Sequence, residues 1–378
     1  MFILGIETSC DETSVAVLKE NPPSRPPSPK ATEGHSKASE GQETIKVLSN
    51  IVSSQIKIHS PFGGVVPSLA AREHEKNLAP VFKKALVKAK TKMADIDLVA
   101  VTQGPGLEIA LWKGIHFAED IAKLWNKPFI PVNHLEGHIF SNWLKPVGEF
   151  SNSNLQFSKK IFPALNLIVS GGHTQLVLMS NHGKYKLIGE TMDDAAGEAF
   201  DKVAKMMNLG YPGGPVVSLR AAKIKNQKSK IKIEFPRPMI NSGNYNFSFS
   251  GLKTSVLYKL REFEEKKIKL DENLINQICR EFQQAVIDVL VKKTVSAAKN
   301  FKAKSIFLSG GVSANKLLRK TLEKEAKKMG VAYSQPDFQY TGDNAAMIAL
   351  AGFYKFKNKG AKKLKEIKAE PNLKIKSW

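Results

Sequence analysis

The sequence predicts an α/β fold made of two related lobes, each carrying a mixed β-sheet, and three features predict it. The runs FILGIETSCDETSVAVL (residues 2–18) and ALNLIVSGGHTQLVLMS (164–180) each alternate apolar residues on either side of a polar, small-residue turn, the mark of a hairpin. Each hairpin opens a stretch in which strand-like and helix-like runs alternate, which implies largely parallel pairing. Glycine turns fall after the strands, where ligands of such folds bind.

In chain order, the first hairpin runs into residues 20–44, ENPPSRPPSPKATEGHSKASEGQET, with five prolines and no large aliphatic or aromatic side chain. Such a segment cannot bury enough surface to offset ordering entropy and reads as a disordered insertion. A β-like run, IKVLSNIVSSQ, resumes beyond it, so the insertion should loop out of a sheet. DIDLVAVTQGPGLEIALWKG reads as strand, Gly-Pro-Gly turn and helix. After the second hairpin, Leu274, Ile278, Phe282, Ala285 and Val289 recur at helical spacing behind an Asp271 cap. A buried strand, SIFLSGG, a glycine turn and a helix from Ala314 follow. The expected division is an N-terminal lobe at 1–139, completed by a helix at about 343–357, a C-terminal lobe at 140–342 and a basic tail at 358–378.

A chain of 378 residues with 42% hydrophobic content can fill two packed domains of roughly 100–200 residues each. The amino terminus lacks the basic start and long apolar core of a signal peptide, and no run approaches the ~20 apolar residues that cross a bilayer. Two cysteines, Cys10 and Cys279, cannot build a disulfide framework, which favours a reducing compartment and a cytoplasmic protein with no membrane association. A net charge of +22 makes a polyanionic partner, most economically nucleic acid, plausible. The lysine-rich tail concentrates the excess and has the composition of a solvated, mobile end.

Four polar turns follow strands: ETSCDET, TQGPG, VSGGHTQ and SGGVSAN. Glycine lets backbone approach phosphate, and exposed N–H groups supply the donors an anion needs, so four such turns point to a nucleotide cleft. In DDAAGEAFDKVAKMMNLGYPGGP, Asp194, Glu198 and Asp201 occupy adjacent helical turns, with Asp194 and Asp201 expected on nearly one face and Asp201 offered to sugar hydroxyls. Gly214 would then lie against the ligand. PVNHLEGHIF sets His134 and His138 at i, i+4, within range of one ion if the segment is helical. A zinc peptidase would carry its glutamate directly after the first histidine, where Leu135 stands. Asp343, at an apparent helix start in YTGDNAAM, can supply a third ligand. Two imidazoles and a carboxylate with open positions suit iron(II) or zinc.

These motifs, together with GGVVPSLAAREH, NHLEGH, LIVSGGHTQL, DDAAGEAFDKVAK, YPGGP, FPRPM, FSFSGLKT, GGVSAN and TGDNAAMIA, resemble in order and spacing the tRNA adenosine threonylcarbamoyltransferase family, TsaD in bacteria. The resemblance spans nearly the whole chain outside the insertion and tail. It implies a two-lobed actin-like, sugar-kinase-like ATPase fold with duplicated mixed-sheet lobes. It also implies transfer of the threonylcarbamoyl group from threonylcarbamoyl-adenylate to N6 of the adenine 3′ of the anticodon, in tRNAs reading codons that start with A, with release of AMP. Carried over position by position, the metal ligands are His134, His138 and Asp343, holding one divalent ion, Fe(2+) before Zn(2+). The adenylate site is Ile168, Val169, Ser170, Gly171, Gly172, Asp201, Gly214 and Asn315. A TsaB-like paralogue and a TsaE-like ATPase are the implied protein partners.

An exocyclic amine is a poor nucleophile and the carbamoyl-phosphate anhydride is already activated, so such an enzyme chiefly positions the two and stabilises developing charge. Asp11 or Glu12 is the candidate proton acceptor; either can instead orient water or a partner. Glu108, Trp112 and Lys113 stand where the family usually has small or aliphatic residues, and the insertion lies in the lobe that meets the paralogue in bacterial relatives. Two other activities fit parts of the pattern. A metal-dependent glycoprotein endopeptidase needs the general base that Leu135 displaces, and a sugar-kinase or chaperone-like ATPase has no need of the histidine pair.

Overall fold

A computed structural model describes residues 1–21, 44–149, 161–224, 232–360 and 367–378. The chain divides into two compact units: Met1–Ser53, Ala71–Ile161 and Asn344–Lys374 form the first, and Ser54–Ala70, Phe162–Asp343 and Ile375–Trp378 the second.

The first unit is built on β1 (Phe2–Glu7), β2 (Glu12–Asn21), β3 (Thr44–Ser54), β4 (Leu98–Gly104) and β5 (Phe129–Asn133), ordered β3-β2-β1-β4-β5. β1 pairs antiparallel with β2 and parallel with β4, and β4 pairs parallel with β5. Strand alternation sends Leu4, Ile6, Val15 and Val17 into one core with Leu78 and Val81 of α2 (Pro67–Ala89) and Leu111 and Ile115 of α3 (Glu108–Leu124). The α4 helix (His134–Phe140) leaves the end of β5. On the opposite face lies α10 (Ala345–Lys359), whose residues Ala345 to Tyr354 are all buried. Its approach is so close that a Cβ on Gly5 would sit 2.2 Å from the Ala345 carbonyl oxygen, so only glycine fits there. β2 and β3 flank the Pro/Ser-rich insertion and are neighbours in one sheet; residues 22–43 lie outside the described residues.

The second unit repeats the plan. Its strands β6 (Ala164–Val169), β7 (Thr174–Asn181), β8 (Lys184–Glu190), β9 (Ser305–Ser309) and β10 (Ala332–Ser334) follow the order β10-β9-β6-β7-β8. Substituting β6 for β1, β7 for β2 and so on reproduces the first sheet, with the same antiparallel hairpin and parallel central pair. Its helices are the short α1 (Ile56–His59), α5 (Ala196–Met206), α6 (Gly213–Ala222), α7 (Ser250–Glu265), α8 (Glu272–Asn300) and α9 (Lys316–Met329). Leu274, Ile278, Phe282, Ala285 and Val289 of α8 are buried in one core with Leu165, Leu167 and Val169 of β6. The Asp271 carboxylate caps α8 by accepting from Leu274 N at 2.8 Å.

Three local expectations change. The helix expected from Ala314 begins at Lys316, because Asn315 takes the N-cap and residues Gly311–Ala314 form a tighter 3₁₀ turn. Asp194 precedes α5, whose N-cap Ala195 is extended, so it does not share a helical face with Asp201. Residues 361–366 of the basic tail lie outside the described residues, but 367–374 dock on the first unit instead of standing free in solvent. Glu370 N donates to Gln103 O at 2.9 Å, Gly106 N donates to Pro371 O at 3.1 Å, and Ile367 is buried. Among the described residues no helix is long and apolar enough to cross a membrane.

Candidate metal centre and glycine turns

Asn133 ends β5 and starts α4: its Oδ1 accepts from Leu135 N at 2.9 Å and Glu136 N at 3.4 Å. The cap fixes a short helix on which His134 and His138 stand one turn apart, with ring centroids separated by 4.6 Å. Gly137 packs against Met347 and Ile348 of α10, which seats α4 on that helix. Asp343 is joined by a peptide bond to Asn344, whose side chain caps α10 by accepting from Met347 N at 3.0 Å. Asp343 therefore stands immediately before the N-cap of α10. His134, His138 and Asp343 each offer a ligand atom, and these atoms lie within 4.8 Å of one another.

The surroundings of His134 fit a metal ligand. Its Nδ1 lies 3.1 Å from Glu7 Oε2 and 3.2 Å from Ser9 Oγ, and Glu7 is fully buried. A proton on Nδ1 directed at that carboxylate leaves the Nε2 lone pair for a cation, the arrangement that orients imidazole ligands. Glu7 is itself held by Ser9 N at 2.5 Å and Thr102 Oγ1 at 2.6 Å. With one carboxylate and two imidazoles as donors, the group can hold one divalent ion.

The turn that follows β1 also holds Asp11, which is buried, and Glu12, which is half-buried at the start of β2. His74 braces it: Nε2 lies 2.9 Å from Cys10 O and Nδ1 lies 2.8 Å from Thr13 Oγ1. Thr8 Oγ1 donates to Ala110 O at 3.0 Å and Leu107 N donates to Ser9 O at 2.8 Å, so the ETSCDET turn rests on the Gly-Pro-Gly turn and the start of α3. Glu108, Trp112 and Lys113 lie on α3. Lys113 Nζ bonds Glu75 at 2.7 Å, a surface pair that holds the Glu75 carboxyl below its ordinary range.

In the second unit the residues expected around an adenylate form one continuous chain of contacts. Ile168 and Val169 end β6 and lead into Ser170, Gly171 and Gly172. Gly197 N, at the start of α5, donates to Ser170 O at 3.2 Å. One α5 turn on, Asp201 Oδ1 accepts from Gly213 N at 2.7 Å. Ser218 Oγ donates to Gly214 O at 2.8 Å and accepts from Asn315 Nδ2 at 3.0 Å. Asn315 also donates to Gln283 Oε1 at 2.8 Å, and its own oxygen caps α9 through Leu317 N and Leu318 N, both at 3.0 Å. Open space lies beside Gly171, Gly172 and Gly214. Burial raises the pKa of Asp194, but hydrogen bonds from Lys202 and Lys253 outweigh it and hold the carboxyl below its ordinary range. Burial pushes the Cys279 thiol up to about 12, which makes it inert.

Glu7, Ser9 and His74 did not stand out as site residues in the sequence. The signal was there for Glu7, an acid closing an otherwise apolar strand.

A family model described as TsaD, tRNA N6-adenosine threonylcarbamoyltransferase, matches residues 46–350. A relative of that name from Thermosipho africanus is 44% identical over 380 residues, covering 99% of this chain and 100% of the relative. One from Bacillus subtilis is 42% identical over 379 residues, covering 100% and 97%. Among solved structures, full-length HypF in its phosphate- and nucleotide-bound form matches with a TM-score of 0.54 at 12% identity, over 96% of this chain and 47% of that one. The chain thus spans about half the length of that HypF chain, and the likeness is one of fold. With the duplicated sheets, it supports the two-lobed, actin-like ATPase class.

Proposed function

Because the chain belongs to the TsaD family of tRNA N6-adenosine threonylcarbamoyltransferases, we propose that it is an acyltransferase that moves the threonylcarbamoyl group from threonylcarbamoyl-adenylate to N6 of the adenine 3′ of the anticodon. The tRNAs are those reading codons that begin with A. Two imidazoles and a carboxylate gathered within 4.8 Å, in a chain that matches the family over residues 46–350, support this activity above others. The buried Leu135 stands where a zinc peptidase needs its general base, which disfavours proteolysis.

In the transfer, the N6 amine attacks the carbamoyl carbon, the bond from that carbon to the phosphate oxygen breaks, and AMP leaves with the bonding electrons. Asp11 or Glu12 takes the amine proton. Backbone N–H groups of Gly171 and Gly172 stabilise the leaving phosphate, in a turn closed by Ser170 N donating to His173 O at 2.8 Å and His173 N donating to Ser170 Oγ at 3.1 Å. Asp201 and Gly214 border the nucleoside, and Asn315 positions that border through Ser218. Ile168 and Val169 hold the glycine turn at the end of the central strand β6. His134, His138 and Asp343 hold one divalent ion, iron(II) before zinc, which when bound supplies Lewis acidity toward the threonylcarbamoyl group. The net charge of +22 favours the tRNA, the protein acts in the cytoplasm, and a TsaB-like paralogue and a TsaE-like ATPase assist turnover.

The test is incubation with threonylcarbamoyl-adenylate and tRNA, with and without those partners, followed by mass spectrometry of the nucleosides. His134→Ala should lose both metal and transfer while staying folded. Full activity of that variant without bound metal overturns the assignment.

A further inference from the structure

In the second unit, Arg237 of the FPRPM segment bonds Glu281 at 2.6 Å and Asp288 at 3.0 Å, pinning residues 235–245 along α8. One turn beyond Asp288 the acids end and two lysines follow. Lys293 is 3% exposed, and its Nζ donates to Ser242 Oγ and Asn244 O, both at 2.9 Å. Both acceptors are neutral. An ammonium has three N–H donors, so one remains, and a charge taken out of water needs an opposite charge to hold it. Among the described residues its bonded partners include no carboxylate, and burial lowers the Lys293 pKa. Beside it, exposed Lys292 reaches Asn241 Oδ1 at 2.7 Å. Ser242, Asn244, Lys292, Lys293 and Ser296 line a cavity of about 160 Å³, room for several waters at roughly 30 Å³ each.

We infer that this cavity is an anion site that takes a phosphate group, with the Lys293 ammonium as its fixed charge, Lys292 as a second charge at the rim, and the Ser242 and Ser296 hydroxyls within the lining. A tetrahedral oxyanion, singly charged as a phosphodiester and up to doubly charged as a monoester or free phosphate, matches two ammonium groups in a cavity also lined by Ser242, Asn244, Tyr245 and Ser296, and it supplies the counter-charge that the protein withholds. The phosphate belongs either to the tRNA backbone or to a small free molecule. The site is separate from the proposed transfer reaction and uses none of its residues.

The full-length protein is titrated with inorganic phosphate in a low-salt chloride buffer by calorimetry. Wild type should show one saturable site. Lys293→Gln should weaken it roughly tenfold or more, as loss of a charge-assisted hydrogen bond requires, and exposed Lys292→Ala should weaken it less. Since Lys293→Gln can disturb the core, Lys292→Ala, checked for native circular dichroism, keeps the test decisive. In a second arm, tRNA affinity is measured against salt. A slope shallower by about 1 in Lys292→Ala identifies an RNA phosphodiester as occupant, while an unchanged slope with weakened phosphate binding identifies a small phosphate-bearing molecule. Absence of saturable phosphate binding in wild type together with an unchanged slope, or equal phosphate binding in all three proteins, overturns the inference. The phosphate titration needs neither metal nor transfer, so its outcome is independent of the activity assigned above.

Discussion

Replacing Glu7 by glutamine tests whether that carboxylate sets the metal-binding tautomer of His134. The substitution keeps the shape of a fully buried side chain but turns one acceptor into a donor. If the new NH₂ takes the place of Oε2, which accepts from Thr102 Oγ1 at 2.6 Å and faces His134 Nδ1 at 3.1 Å, Nδ1 must accept. The ring proton then moves to Nε2 and removes the ligand lone pair. If it takes the place of Oε1, it opposes Ser9 N, now 2.5 Å away, donor against donor. That conflict costs about 1–3 kcal/mol of stability. Metal affinity should fall about 10–100-fold, as for loss of the partner that orients an imidazole ligand, which is roughly 1.4–2.7 kcal/mol. Competition against a chromophoric chelator, using zinc and cobalt(II), reads the affinity directly. Thr102→Val is the control: it removes one hydrogen bond to the same carboxylate without touching the imidazole and should leave affinity essentially unchanged. Unaltered metal affinity together with unaltered stability in a Glu7→Gln protein refutes the reasoning.

Gly104→Ala should loosen the docked C-terminal segment. The added Cβ would lie 1.9 Å from Glu370 O at a backbone φ of +154°, and the expected cost is about 1–3 kcal/mol by urea denaturation, with faster proteolysis of the carboxyl end. Deleting residues 367–378 removes Leu373 O and Lys374 O, which accept from Asn133 Nδ2 at 3.5 and 3.2 Å, so thermal stability should drop. The same deletion should make the salt dependence of tRNA binding shallower, because it takes away Lys368, Lys374 and Lys376. An unchanged slope counts against a tRNA role for the tail. For His182, whose ring nitrogens are buried although the residue is only half-buried, desolvation lowers the pKa to about 4. The unfolded chain binds that proton below about pH 6.5 and the folded chain only near its lowered value. Stability should therefore be flat above that pH and decline as pH falls toward 4; His182→Phe should flatten the decline in urea midpoints compared across that window.

Much of this architecture was legible because it is local. Alternation around GIETSCDET and VSGGHTQ announced both hairpins, helical spacing announced α8, and the i, i+4 histidines required only that 134–140 be helical, which the Asn133 cap ensures. What escaped was long-range. Glu7 meets His134 across 127 positions, a pairing with no period to reveal it. The tail read as solvent-exposed because lysines dominate its composition, yet Ile367 and Ile375 are buried. The placement of Asp194 turned on Ala195: it is extended, so the helix begins at Ala196, two positions too late to include Asp194.

The first unit takes its opening strands from Met1–Ser53 and its closing helix from Asn344–Lys374. A polypeptide emerging from the ribosome amino end first therefore exposes one bare sheet face until α10 has been translated. Intervening residues Phe162–Asp343 belong to the other unit and can fold while that face waits. Asp343 stands two residues before that helix, so the candidate ligand group of His134, His138 and Asp343 is complete only once residue 343 has been made, and nascent chains shorter than that lack its carboxylate.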